Sequence, residues 1–232
     1  MSKRELAFAL WMLLCIALTM WTRQLSWGLG GGVVALAVRA LLARRQWTPS
    51  GSFGLANGVT TIRLALVASL PWWFGALSRP GFVALVLGLL ALDAFDGWLA
   101  RRHNTASAFG AVFDMETDAL GVLALSLLLW RHEIVGAWVL VAGLWRYVYA
   151  AAVALVPTLR EAPRSSLYRV LFLLLMLCLA GAFLPVRHLP SVLAAIGTAL
   201  VSFSFLHSLV RSIAATSSRA ASDQVRDGDR SA

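Results

Sequence analysis

Residues Phe82–Trp130 read FVALVLGLLALDAFDGWLARRHNTASAFGAVFDMETDALGVLALSLLLW, two apolar runs joined by a stretch that holds five of the chain's eleven acidic residues. A helix needs about 20 largely apolar residues to cross a bilayer. The flanking runs approach that length, which predicts spans over Gly81–Ala100 and Phe109–Trp130. A carboxylate inside a span costs about 2.5–3.5 kcal/mol, so Asp93, Asp96, Asp114, Glu116 and Asp118 sit where acids are expensive and therefore mark function. Asp93 and Asp96 are three apart near the end of the first helix, while Gly110, Asp114 and Asp118 step by four along the second. Both spacings place side chains on one helical face. Two antiparallel helices can thus aim four carboxylates at one spot. Glu116 points elsewhere, and its replacement by glutamine is expected to matter little.

Four converging carboxylates repel one another unless cations neutralise them. Hard, oxygen-seeking divalent ions meet that demand, and Mg²⁺ with a phosphate-bearing substrate suits such a site. Gly97 and Gly110 lack a Cβ and let a ligand or backbone come close. Arg101 lies one turn beyond Gly97, where a guanidinium can grip phosphate oxygens with two parallel hydrogen bonds, and Ala100 keeps the helix narrow beside it.

Working outward, 59% of the 232 residues are hydrophobic and 13% are charged, half the charge of an average soluble domain. The net charge of +9 is carried mainly by arginines scattered between apolar runs, which fits positive loops of a membrane protein and excludes a nucleic-acid partner. Further spans are predicted at Leu6–Trp21, Trp27–Leu42, Asn57–Leu77, Ile134–Val156, Leu167–Leu184 and Leu189–Val210. The first two are short, and the second holds Gly30, Gly31 and Gly32, so a tilted hairpin or an interfacial segment is an alternative for them. The run after Lys3 and Arg4 ends in bulky Met20 and Trp21 without a cleavage site, which favours an uncleaved span over a signal peptide. Lys3, Arg4, Arg44, Arg45, Arg101, Arg102, Arg160, Arg164 and Arg211 fall on one side, outnumbering Arg23, Arg79, Arg131 and Arg187 on the other. The richer side is expected to be cytoplasmic, with both termini inside a bacterial cytoplasmic (inner) membrane. The expected organisation is an all-α polytopic bundle: an N-terminal hydrophobic hairpin or pair of spans over 1–48, a core over 49–212 and a disordered tail over 213–232.

The motif residues read D-A-F-D-G-W-L-A-R, then eight residues, then G-A-V-F-D-M-E-T-D. This resembles the signature of the CDP-alcohol phosphotransferase (CDP-alcohol phosphatidyltransferase) family at every fixed position. Asn57, Thr60 and Arg63 look like the N-x-x-T-x-x-R pattern at the start of that family's first core helix. The resemblance implies six core helices around a polar cavity open to the cytoplasm, commonly in a homodimer. It implies that Asp93, Asp96, Asp114 and Asp118 hold two divalent ions, Mg²⁺ or Mn²⁺, and that Asp118 serves as general base. Gly97, Ala100, Arg101 and Gly110 would line the nucleotide and phosphate part of the cavity. The implied reaction transfers a phosphatidyl group from CDP-diacylglycerol to a small alcohol with release of CMP; transfer from CDP-choline or CDP-ethanolamine to diacylglycerol is the alternative.

For the acceptor, Asn57, Thr60, Arg63, Arg146, Arg164 and Arg169 are candidate acceptor or phosphate contacts, which would suit a phosphorylated polyol such as glycerol 3-phosphate. Ala119-Leu120-Gly121 follows the last aspartate, in place of the Lys or Arg common in enzymes that use glycerol phosphate or inositol phosphate. Arg63 and Arg146 lie inside spans and are expected to pair with the acids or with ligand phosphate. A cation or proton carrier is the reading from another class, but no inverted repeat supports it. Cys15 and Cys178 read as small core residues, the tryptophans near span ends as an interfacial belt, and His207 as a hydrogen-bonded packing residue.

Overall fold

The computed structural model describes residues 3–48, 52–102, 107–156 and 166–230, with side chains described except at 3, 94–102, 166 and 213–230. The described residues form eight helices and no strand: α1 Lys3–Thr22, α2 Leu25–Leu42, α3 Leu55–Ala76, α4 Arg79–Arg102, α5 Ala108–Arg131, α6 Leu140–Leu155, α7 Ser166–Gly181 and α8 Leu189–Arg230. Five of them are long and apolar enough to cross a membrane: α1, α2, α3, α6 with its leading 3-10 turn, and α8. The other predicted spans appear as α4 and α5, which carry the acids, and α7, which is shorter. The protein is an integral membrane protein.

α5 is the axis of the bundle. From Ala119 to Leu129 every residue is buried, because this stretch is apolar all round and must be covered on every side. The cover is supplied by α2, α3, α6 and α7, while α1 packs on α2 and α6, α4 on α3 and α7, and α8 on α6 and α7. Outward-facing Leu14, Val34, Ile62, Phe203 and Val210 are exposed apolar residues, as a lipid-facing surface requires. Trp21, Trp27 and Trp72 are exposed near helix ends, as an interfacial belt requires.

The glycines of α2 seat it in the bundle. A Cβ on Gly32 would lie 2.5 Å from Leu120 Cδ1 of α5, and one on Gly31 would lie 2.4 Å from Cys15 Sγ of α1. Small residues let helices approach where no hydrophobic effect drives them together. Trp11 Nε1 donates to the Gly31 carbonyl at 3.0 Å, and Arg39 forms two hydrogen bonds with Glu5, further tying α1 to α2.

α6 comes just as near on another side of α5. A Cβ on Gly143 would lie 2.9 Å from the backbone Cα of Leu123. Gly143→Ala is therefore expected to push α6 off α5 and to destabilise the protein by about 1–3 kcal/mol. The check is the thermal unfolding midpoint in detergent; an unchanged midpoint would mean the contact is loose.

The backbone of α8 continues helically to Arg230. Between Ser212 and Arg230 the chain has four Ala, three Arg and no Pro, so no proline stops the helix where apolar patterning ends.

Candidate functional site

α3 brings one cation to the acids. Arg63 is buried, with Nη1 2.8 Å from Asp93 Oδ1 of α4 and 2.8 Å from Asp114 Oδ1 of α5. Its Nη2 donates to Asp118 Oδ1. One carboxylate oxygen from each of Asp93, Asp114 and Asp118 lies within 4.8 Å of the others. Three carboxylates against one guanidinium leave negative charge in excess. The donors are hard oxygens at short range, which fits a divalent cation. This group could hold a metal ion.

The spacing rule thus works for α5: Asp114 and Asp118 reach one point, as does Asp93 from α4. Asp96, Gly97, Ala100 and Arg101 belong to the last turns of α4, whose side chains are outside the described residues, and so does Arg164, between α6 and α7. Arg169 is exposed on the first turns of α7, and no contact to the aspartates is seen for it among the described residues.

Asn57 and Gly110 serve the mouth of the site. Asn57 Nδ2 donates to the carbonyls of Trp47 at 3.1 Å and Phe53 at 2.7 Å, fastening the connection that leads from α2 into α3. Ser107 caps α5 by accepting from the Gly110 amide at 2.9 Å and donates to the same Trp47 carbonyl at 2.7 Å. A Cβ on Gly110 would stand 2.9 Å from Asn57 Oδ1, so a larger residue there would have to displace the Asn57 side chain. Thr60 is buried one turn before Arg63, and its hydroxyl donates to the Ala56 carbonyl at 3.1 Å. Asn57 and Thr60 therefore act on the backbone in this structure. The Ser107 cap was legible beforehand as a serine before an apolar run.

Arg146, a candidate acceptor contact, has the acid partner that a charge inside a span demands. It pairs with Glu116 on the far side of α5. Glu116 is buried, so its replacement by glutamine would remove the charge that faces Arg146. Off-face and buried are different things: the helical period says which way Glu116 points, whereas burial depends on the helix that lies there. His207 Nδ1 lies 3.4 Å from the Tyr168 hydroxyl, and its ring stacks beside Phe203, as a packing residue does.

Next to Asp118 a gap of about 20 Å³, room for one water, lies between α3, α4, α5 and α7, lined by Val67, Leu70, Val86, Leu89, Phe172 and Met176. Arg63 and Asp118 form its polar end.

The family model for CDP-alcohol phosphatidyltransferase matches residues 53–213. A stretch of 83 residues is 36% identical to CDP-diacylglycerol–inositol 3-phosphatidyltransferase 1 of Arabidopsis thaliana, covering 33% of this chain and 37% of that protein. Another of 37 residues is 51% identical to the probable CDP-diacylglycerol–inositol 3-phosphatidyltransferase 2 of the same plant, covering 16% of each. The matches thus span well under half the length of either relative. No solved structure matches the chain.

Proposed function

The chain belongs to the CDP-alcohol phosphatidyltransferase family, and on that footing we propose that it transfers a phosphatidyl group from CDP-diacylglycerol to a polyol and releases CMP. The observation that carries this reading is the convergence of Asp93, Asp114 and Asp118 on Arg63. A donor whose acyl chains stay in the bilayer can present its charged head to a carboxylate site carried by membrane-spanning helices.

Mg²⁺ or Mn²⁺ ions held by Asp93, Asp96, Asp114 and Asp118 would supply Lewis-acid polarisation at the donor pyrophosphate. Asp118 takes the proton of the acceptor hydroxyl onto its carboxylate. The acceptor oxygen forms a bond to the phosphorus that bears diacylglycerol. The bond from that phosphorus to the bridging oxygen breaks, and CMP departs with the electron pair. Arg63 holds the three aspartates toward one another. The arginine-rich loops favour a site facing the cytoplasm.

An unphosphorylated polyol is the preferred acceptor. Arg146 is already neutralised by Glu116, which removes one of the cations that a phosphorylated acceptor would use. The names of the Arabidopsis relatives specify inositol. The test is CMP release by the purified protein with Mg²⁺ or Mn²⁺ and CDP-diacylglycerol, offered inositol, inositol phosphate, glycerol 3-phosphate and serine in turn. Stimulation by inositol is expected. Stimulation by glycerol 3-phosphate or inositol phosphate would overturn the acceptor and keep the reaction. Silence across the panel, with CDP-choline and diacylglycerol also inactive, would overturn the reaction itself.

A further inference from the structure

Glu116 lies between Asp114 and Asp118 in the chain and opposite them in space. An α-helix turns about 100° per residue, so Glu116 points about 200° away from each, while the two aspartates are only about 40° apart. A single buried charge on the back of α5 is therefore coupled to the direction of the aspartates on its front: rolling the helix moves both.

Two contacts between α5 and α6 resist such a roll. One is ionic, Glu116 with Arg146. The other is steric: Gly143 brings the α6 backbone onto Leu123. Gly143 and Arg146 are three apart on α6, Glu116 and Leu123 seven apart on α5, so each pair of positions shares one helical face. The second carboxylate oxygen, Glu116 Oε2, accepts no hydrogen bond among the described residues. A buried ion pair with an unsatisfied oxygen contributes little net stability relative to a packed apolar pair, and its best-attested use is to set register. The N-terminal hairpin reaches the same region. Phe8 of α1 lies against Tyr147 of α6, with ring centroids 6.4 Å apart.

We propose that the Glu116–Arg146 ion pair, with the Gly143–Leu123 contact beside it, is a register lock that sets the rotation of α5 and so aims Asp114 and Asp118 into the metal site. Glu116 and Arg146 are positioning residues that touch neither donor nor acceptor. The lock rests on the proposed reading only in taking the aspartate cluster to bind a divalent cation.

The experiment measures Mn²⁺ binding by electron paramagnetic resonance on the full chain in lipid nanodiscs, with thermal unfolding recorded on the same samples. The double variant Glu116→Leu/Arg146→Leu is expected to insert and to unfold near the wild-type midpoint, since an apolar pair replaces a buried ionic one. It is expected to bind Mn²⁺ ~10–100-fold more weakly, the size of effect that loss of a ligand-orienting contact produces. The exchange Glu116→Arg/Arg146→Glu restores the pair with reversed polarity and is expected to recover affinity. A folded double-leucine variant that binds Mn²⁺ as tightly as wild type overturns the lock. So does a double-leucine variant that fails to insert, because the pair would then be a requirement of folding. Asp114→Asn separates the two readings. Mn²⁺ binding that Asp114→Asn abolishes and the double-leucine variant leaves intact removes the lock alone; binding indifferent to Asp114→Asn removes the metal site and the lock together.

Discussion

Asp118→Asn is expected to lower the turnover of CMP release by roughly 10²–10⁴-fold, the usual worth of a positioned general base. Asparagine keeps the shape of the side chain and loses the capacity to accept a proton from the acceptor hydroxyl. The fold should survive, because Arg63 still faces Asp93 and Asp114 at 2.8 Å each. The removed carboxylate is one of three on that guanidinium, so the change relieves charge excess and strands no cation. The assay is initial CMP release at saturating donor and acceptor, beside the thermal midpoint of the same preparation. A variant that melts like wild type and turns over at the wild-type rate would show that another group takes the proton.

Glu116→Leu as a single change is expected to destabilise the protein by about 3–5 kcal/mol, the cost of leaving the partner of a buried ion pair uncompensated. Glu116 is 2% exposed, and its partner Arg146 belongs to a helix that packs directly on α5. Adding Arg146→Leu should return most of that loss, because the stranded guanidinium is then gone. The measurement is a double-mutant comparison of unfolding midpoints in one detergent. Equal melting of the single and double variants would mean that the cost lies in lost packing around Glu116 and not in a stranded charge. The two predictions address opposite faces of α5: one concerns the chemistry on its front, the other the charge that holds its back.

Much of the site could be read before any fold was known. The four-residue step from Gly110 to Asp118 and the apolar runs on either side already demanded a helix with two acids on one face. Arg63 was legible as a charge inside a span that required partners, and it found Asp93, Asp114 and Asp118. Arg146 carried the same signal and met a different acid, Glu116. A lone charge in an apolar run announces that a partner exists and does not say which neighbouring helix supplies it. The glycines of α2 were harder still. In sequence they weaken a helix; in the bundle they are the surface on which Cys15 and Leu120 rest.

The sequence by itself determined the elements and the chemistry: eight apolar runs, acids at helical spacing, and the motif from Asp93 to Asp118, all local properties set by composition and by the helical period. Only the tertiary structure decided which helices touch. It made α5 the axis, laid the N-terminal hairpin against it through Gly28 and Gly32, tied Trp47 to Asn57 and Ser107, and closed Arg146 on Glu116. Helical periodicity gives the direction a side chain leaves its own axis. What it meets there depends on the packing of residues far apart in the chain, and for Glu116 and Arg146, thirty residues apart, that packing turned an off-face acid into the buried anchor of the helix that carries the site.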